Sequence, residues 1–151
     1  MDPWTAKRVD NRYIYGAMET RSRGADYMTI DKFDEWLSAA IPGTWDVGTL
    51  NVGDMRCALY PGRSFVNPRG IGQETSYRGH AIRVLVHWNR NILTSQIKAQ
   101  EIYNYIKSAT GAINGKRIIR VNMRDAEAVF LGADESGIFE FVIDCEIIME
   151  R

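Results

Sequence analysis

The sequence lacks most of the features that mark a secreted or membrane-spanning protein. Its two cysteines, Cys57 and Cys145, are too few for a disulfide framework, and no Asn-x-Ser/Thr glycosylation site occurs. No apolar run approaches the roughly 20 residues of a membrane span, and the N-terminal residues lack the apolar stretch of a secretory signal. We therefore expect a protein of a reducing compartment with no membrane partner and with both thiols free and buried.

The sequence also lacks net charge. It contains 19 Lys and Arg against 19 Asp and Glu, so its formal charge at pH 7 is zero. Free-standing nucleic-acid-binding proteins usually carry a basic excess, so this balance argues against such a role, although it allows local basic patches. At 151 residues the chain is long enough for one domain with its own core, or for one domain preceded by an arm.

No motif for catalysis or cofactor binding is present. The sequence contains no phosphate-binding P-loop, nucleophile elbow, zinc-protease helix or EF-hand loop. His80 and His87 lie an odd number of residues apart on one predicted strand, so they face opposite sides and cannot jointly hold a metal. Asp144 and Glu146 share a strand face as a nuclease pair would, but no lysine follows them. We expect no enzyme activity, no metal and no cofactor.

The spacing of apolar residues predicts an α+β fold. Helical periodicity predicts helices over 30–40 and 95–108, the second capped by Thr94 or Ser95. Alternation predicts strands over 54–60, 77–89, 116–123, 127–131 and 138–149. Because the C-terminal connections have hairpin length, we expect an antiparallel or mixed sheet of about four to five strands with two helices packed on one face.

The last predicted strand, 138–149, alternates over its whole length. One face is expected to form the main core, with Phe139, Phe141, Ile143, Cys145, Ile147 and Met149. The opposite face carries the carboxylates of Glu140, Asp144 and Glu146. A strand this long would span about 40 Å, so it either bends or extends past its own core towards another chain.

Two segments show no regular periodicity. Residues 1–27 mix basic and aromatic side chains, which indicates an N-terminal arm before a domain over 28–151. The candidate anchors of this arm on a neighbouring protein are Trp4, Tyr13 and Tyr15. Residues 61–76 are rich in proline and glycine and predict a long loop, in which Arg63 and Arg69 are candidates for partner docking. The plainer alternative for these arginines is a solvated loop.

The C-terminal run AVFLGADESGIFEFVIDCEIIMER joins a glycine-flanked turn to the last predicted strand. The residues that carry its pattern are Gly132, Asp134, Glu135 and Gly137 in the turn, then Phe139, Phe141 and Glu146-Ile147-Ile148 in the strand. This pattern resembles the end of the tail terminator, or minor capsid (tail completion), proteins of tailed bacteriophages. The run YMTIDKFDEWLSAAIPG resembles the opening helix of the same family, so the resemblance covers about residues 28–151.

The resemblance implies a structural virion protein without catalysis. Such proteins form rings, typically hexameric, on the last ring of the tail tube, where they stop tube polymerisation and provide the surface for the head connector. The implied partners are further copies of the chain, the tail tube protein and the head connector or head completion protein. Genome DNA would pass through the hole without sequence recognition. The implied location is the tail or neck of the virion, after assembly in the cytoplasm of the bacterial host.

In such a ring, Glu140, Asp144 and Glu146 would face the hole and repel DNA phosphates. The alternative is that these carboxylates keep an exposed sheet face soluble. Two other classes of function also stay open. One is a different neck connector, such as a head completion protein. The other is a small intracellular enzyme or ligand-binding domain, which would have a deep polar pocket and would be a monomer or dimer in solution.

Overall fold

The computed structural model describes residues 28–63 and 76–151. The predicted arm over 1–27 and most of the predicted loop over 61–76 lie outside these ranges, and with them Trp4, Tyr13, Tyr15 and Arg69. The division into arm and domain therefore stays a prediction. None of the helices in the described ranges is long and apolar enough to cross a membrane.

The described residues form two helices and seven strands. The helices are α1 (Ile30–Ala40) and α2 (Ile92–Lys107). The strands are β1 (Thr44–Val47), β2 (Arg56–Pro61), β3 (Tyr77–His87), β4 (Ala112–Ile113), β5 (Lys116–Met123), β6 (Val129–Ala133) and β7 (Phe139–Glu150).

The seven strands form one mixed sheet. Its order is β1-β2-β3-β7-β5-β4, and β6 also pairs with β7. The β1–β2 pair is parallel, whereas the other pairs are antiparallel. The α+β class is confirmed, but the predicted count of four to five strands is too low. The sequence prediction missed β1 and β4 because four and two residues are too few to show an alternating pattern.

Helix α1 spans the predicted range. Phe33 and Leu37, one helical turn apart, are its buried residues, so one side of the helix faces the core. The helix ends as Ile41 leaves helical geometry, one residue before Pro42, and the Ile41 N–H still bonds to the Leu37 carbonyl at 2.8 Å. The residue before the helix is Thr29, whose hydroxyl bonds to the Asp31 carboxylate instead of capping the backbone.

Helix α2 begins three residues earlier than predicted, and its cap is Asn91. The Asn91 side-chain oxygen accepts from the backbone N–H groups of Leu93 and Thr94 at 3.0 and 3.1 Å, which satisfies two of the donors at the helix start. The predicted caps, Thr94 and Ser95, bond instead to the Asn89 side chain at 2.9 Å each. The helix buries Ala99, Ile102, Tyr103 and Ile106 along one side, as the helical spacing of these apolar residues predicts.

The hydrophobic core lies between the two helices and one face of the sheet. Residues that lie opposite each other on β3 and β7 fill its centre: Ile82 with Cys145, Val84 with Ile143, and Val86 with Phe141. Ile147 and Met149 are also fully buried, so the predicted core face of the last strand is confirmed, although Phe139 is only half-buried. Cys57 and Cys145 are free and buried, and burial raises the pKa of each thiol to about 12.

Strand β7 lies inside the sheet over its whole length. On one side it pairs with β3 from Tyr77 opposite Glu150 to His87 opposite Glu140. On its other side β5 pairs with its C-terminal part and β6 with its N-terminal part, each with an irregularity in register. The strand therefore does not extend past its own sheet, and the extra residue at each irregularity belongs to β5 or β6 and not to β7.

Candidate functional site

The second face of the sheet, opposite the helices, holds the carboxylates that the sequence analysis singled out on β7. Side chains alternate along a strand, so Glu140, Asp144 and Glu146 share this face. Their side chains are 23%, 13% and 0% exposed, in that order. The expectation of an acidic face open to solvent is therefore wrong for Glu146, and the other two carboxylates are partly covered.

Asp144 forms a bidentate ion pair with Arg83 of β3. The Arg83 Nε donates to Asp144 Oδ1 at 2.7 Å and a terminal guanidinium nitrogen donates to Oδ2 at 3.1 Å. The two residues lie directly opposite each other in the strand register. The hydrogen bond and the charge of Asp144 raise the pKa of Arg83. The charge of Asp144 is therefore balanced within the subunit.

Glu146 lies inside the protein because β3 leaves room for it. The Glu146 side chain lies against the backbone of Gly79 on β3. A Cβ added at Gly79 would come within 2.6 Å of Glu146 Oε2. Gly79 does not have a positive φ, so the need for glycine is one of space and not of backbone conformation. Sequence alternation could assign Glu146 to the second face but could not show that this part of the face is buried.

A groove of about 790 Å³ lies beside the Arg83–Asp144 pair on the second face. Among the described residues that line it, three are arginines and one is a carboxylate: Arg63, Arg83, Arg124 and Asp144. Arg124 also donates to the backbone oxygen of Arg63 at 3.4 Å, which ties β5 to the end of β2. Leu131 and Val142 add apolar surface. The groove therefore suits an acidic and partly apolar surface.

Of the residues predicted to dock a partner, Arg63 is the one in the described ranges. It is exposed and lies at the edge of this groove. The docking role of Arg63 stays a prediction, as do those of Trp4, Tyr13, Tyr15 and Arg69. The same applies to Glu140 and Asp144 as residues of a hole, because the geometry of an assembled ring decides which surface faces the axis.

Glu140 belongs to a cluster at the end of the sheet where β3 finishes and β7 begins. His87 Nε2 lies 2.7 Å from Asp134 Oδ2 and 3.8 Å from Glu140 Oε2. The His87 ring is buried, with 6% of its side chain exposed, whereas the two carboxylates are 31% and 23% exposed. A ring nitrogen of His87 and one carboxylate oxygen each of Asp134 and Glu140 all lie within 4.8 Å of one another.

The turn between β6 and β7 holds Asp134 in position. Asp134 Oδ1 accepts from the backbone N–H groups of Ser136 at 2.8 Å and Ile138 at 3.0 Å, which leaves Oδ2 for His87. Gly137, with φ 83°, adopts the left-handed conformation that the turn needs. The hydrogen bond from His87 is the largest cause that lowers the pKa of Asp134, followed by the bond from the Ile138 N–H.

This cluster cannot be recognised from the sequence pattern, because its residues lie far apart in the chain. His87 and Asp134 are 47 residues apart in the chain. Alternation did place His80 and His87 on opposite faces, and the structure agrees: His80 lies against the Phe33 ring in the core. The turn with Asp134 was noted for its glycines, but only the β3–β7 register brings it and Glu140 to His87.

Exposed apolar residues lie on or beside two edge strands of the sheet, β6 and β1. On β6, Phe130 and Leu131 are 49% and 55% exposed, and in the described part of the chain no strand pairs with the outer edge of β6. On β1, Val47 is 38% exposed, and Met55, just before β2, is 49% exposed. Open strand edges with apolar side chains favour pairing with another chain.

Comparison with known proteins gave one family. A family model described as bacteriophage tail terminator protein matches residues 54–151. The matched residues run from just before β2 to the end of the chain, and they include the groove, the His87 cluster and the β6 edge. Neither the curated proteins nor the solved structures gave a match.

Proposed function

Since the chain belongs to the bacteriophage tail terminator family, we propose that it ends the growing tail tube and joins the completed tail to the head. The family is one of structural proteins of the phage tail, which places the chain in the virion. The observation that carries the proposal is the family match, because it covers more than half of the chain and includes both central strands. In this role the protein is a scaffold and not an enzyme.

The proposed working form is a ring, with six subunits as the family resemblance implies. A ring needs a head-to-tail contact between two different surfaces of the subunit. The exposed apolar residues of two different edge strands, β6 and β1, supply two such surfaces. Pairing between the open edges would also satisfy backbone groups that the single subunit leaves to solvent.

The proposed contacts with the tail tube protein and the head connector involve the groove and the arm. The groove has three guanidinium groups and one paired carboxylate among its described lining residues, so it suits an acidic segment of a partner. We place Arg63 and Arg69 in this contact. Residues 1–27 would dock on an adjacent protein through Trp4, Tyr13 and Tyr15.

The ring would let genome DNA pass without binding its sequence. The sequence predicted Glu140, Asp144 and Glu146 at the hole; we propose this role for Glu140 and Asp144, since Glu146 is fully buried in the subunit. The Arg83 partner reduces the repulsion that Asp144 can exert on phosphates. The competing role for both residues is to hold neighbouring side chains in place. A ring structure distinguishes the two roles through the distance of each carboxylate from the axis.

The experiment that tests the proposal is a deletion of the gene in the phage, followed by electron microscopy of the tails. Loss of a terminator gives tubes of uncontrolled length that lack heads, and the purified full chain should restore normal length and joining. Labelled protein should appear as one ring at the head-proximal end of each tail. Tails of normal length without the protein, or label at the head vertex alone, would instead assign the chain to another neck connector.

A variant lacking residues 2–26 tests the arm separately. We expect it to fold, as judged by an unfolding transition like that of the full chain, but to restore head joining poorly. Native mass spectrometry would report whether the loss lies in ring formation or in a later step. An unfolded variant would show that these residues belong to the core, and normal joining would show that they dock nothing.

A further inference from the structure

We propose that His87, Asp134 and Glu140 form a binding site for one divalent transition-metal ion, for which zinc is the best match. This inference goes beyond the proposed tail function and does not depend on it. It rests on three side chains that three separate elements bring together: the end of β3, the β6–β7 turn and the start of β7.

The distances suit a shared ion. Zinc binds imidazole nitrogen and carboxylate oxygen at roughly 2.0–2.2 Å, so two ligands of one ion lie about 3–4 Å apart in tetrahedral or octahedral geometry. The His87 Nε2 lies 2.7 Å from Asp134 Oδ2 and 3.8 Å from Glu140 Oε2. The His87–Glu140 distance lies within this range, and the His87–Asp134 distance is a few tenths of an ångström shorter, so an ion would replace the direct hydrogen bond between these two side chains after they move slightly apart.

The site is also prepared before an ion arrives. Two backbone N–H groups fix Asp134 Oδ1, so the free oxygen of this carboxylate already points at the imidazole. The Arg90 Nε donates to the Ser136 carbonyl at 2.8 Å and steadies the turn from outside. Ligands whose own orientation is fixed in this way bind metal with less loss of entropy.

His87 has its polar contacts at this cluster alone among the described residues. Its other ring nitrogen, Nδ1, is buried and has no hydrogen-bond partner there. A single N–H at Nε2 can bond to Asp134 but does not reach Glu140 at 3.8 Å, whereas a divalent cation could bond to all three groups at once.

The donor set selects the kind of metal. Imidazole nitrogen suits zinc, cobalt, nickel or iron, whereas magnesium and calcium prefer oxygen ligands alone. Three protein ligands leave at least one coordination position open, and the partial exposure of Asp134 and Glu140 lets water reach it. The site is therefore of the open type, not a closed structural zinc centre.

The full chain itself supplies the control for a binding experiment, because it has two histidines. In NMR spectra of the metal-free protein, cobalt(II) added below one equivalent should broaden or shift the His87 ring signals. The His80 ring lies seven positions back along β3, about 23 Å away, and should respond far less. The variants His87→Gln and His80→Gln assign the two sets of signals. Equal effects on both rings, or none on His87, would overturn the proposal.

Zinc titration by calorimetry provides the second test. We expect one zinc per chain, no detectable binding of magnesium under the same conditions, and an apparent Kd for zinc at least tenfold higher in His87→Gln, since even outer-shell changes cost roughly 10–100-fold. Glu135→Gln is the matched control, because Glu135 is exposed in the same turn but outside the cluster. If His87→Gln fails to fold, Glu140→Gln replaces it. Unchanged zinc affinity in the folded cluster variant would overturn the site.

Discussion

Arg83 and Asp144 lie opposite each other on the two central strands and form a bidentate ion pair on the sheet face away from the helices. The Asp144 side chain is 13% exposed, whereas that of Arg83 is 55% exposed. The partners are therefore unequal: removal of the arginine leaves a mostly covered carboxylate without its counter-charge. Removal of the aspartate leaves a guanidinium that water can still solvate.

This asymmetry predicts the outcome of a double-mutant cycle. Arg83→Ala should lower the free energy of unfolding more than Asp144→Asn, and the coupling between the two changes should be about 0.5–1 kcal/mol, the upper part of the range for accessible pairs. Urea unfolding of the four proteins measures both quantities. Added salt should weaken the coupling only slightly, because the carboxylate is mostly covered. Equal losses from the two single changes would contradict this account.

Phe141 provides a test of the core assignment. It is 4% exposed on the face of β7 that the helices cover, so Phe141→Ala should lower the free energy of unfolding by about 3–5 kcal/mol. Phe130 is the comparison, since it lies opposite Phe141 on the same sheet face but is 49% exposed, and its replacement by alanine should cost less than about 1.5 kcal/mol. A loss at Phe141 no larger than the loss at Phe130 would show that the helices do not cover Phe141.

Gly79 should be intolerant of even one added carbon. Gly79→Ala ordinarily stabilises a strand residue slightly through the unfolded state, but here the new Cβ would lie 2.6 Å from Glu146 Oε2. We expect a net loss of about 1–3 kcal/mol in the free energy of unfolding. In a Glu146→Ala background the same change should cost less than about 0.5 kcal/mol, because the opposing carboxylate is gone. An equal loss in both backgrounds would remove the steric explanation.

His80 should make stability depend on pH between about 4 and 6.5. Burial is the largest cause that lowers the pKa of His80 to about 4, and repulsion from Arg78 and Lys116 contributes to the same shift. Between pH 4 and 6.5 the His80 ring is therefore protonated in the unfolded state but stays neutral in the folded state. The stabilising effect of a neutral His80 is fully present above pH 6.5 and decreases by up to about 1.4 kcal/mol per pH unit as the pH falls towards 4.

Unfolding curves of the wild type and of His80→Gln between pH 4 and 7.5 check this dependence. The difference between their unfolding free energies should change by several kcal/mol at most across the window and should be constant above pH 7. The lowered pKa of Asp134 acts below the ordinary value of 3.8 and so does not interfere. A difference that is independent of pH would show that His80 titrates as it does in the unfolded chain.

The parts of the fold that the sequence predicted are those with long, regular periodicity. Helix α1 and strand β7 could be located because apolar residues recur along them at helical and alternating spacing, over eleven and twelve residues. Short or irregular parts of the fold could not be predicted. Strand β1, for example, forms through parallel pairing with β2, which no local sequence pattern shows. The start of α2 also escaped, since Asn91 and the competing caps Thr94 and Ser95 are all acceptable at an N-terminus.

The candidate sites were less predictable than the fold because they depend on distances between elements. Alternation places Glu146 and Glu140 on one face of β7, yet one is buried beside Gly79 and the other lies near His87. The register of β3 against β7 determines which residues surround each carboxylate. A register cannot be read from one strand alone, because both strands alternate whichever residues lie opposite each other.

The position of β7 has a consequence for the order of events in the infected cell. This strand comes last among the described elements but lies in the centre of the sheet, where β3, β5 and β6 all pair with it. A nascent chain that still holds residues 139–150 inside the ribosome can pair β1, β2 and β3 with one another and β4 with β5, but it lacks the strand that joins these two groups. The sheet closes through contacts that are distant in sequence, so it is completed only after synthesis of this segment. A chain that ends before residue 139 would therefore consist of two unjoined parts, and we expect it to be unable to assemble into the phage tail.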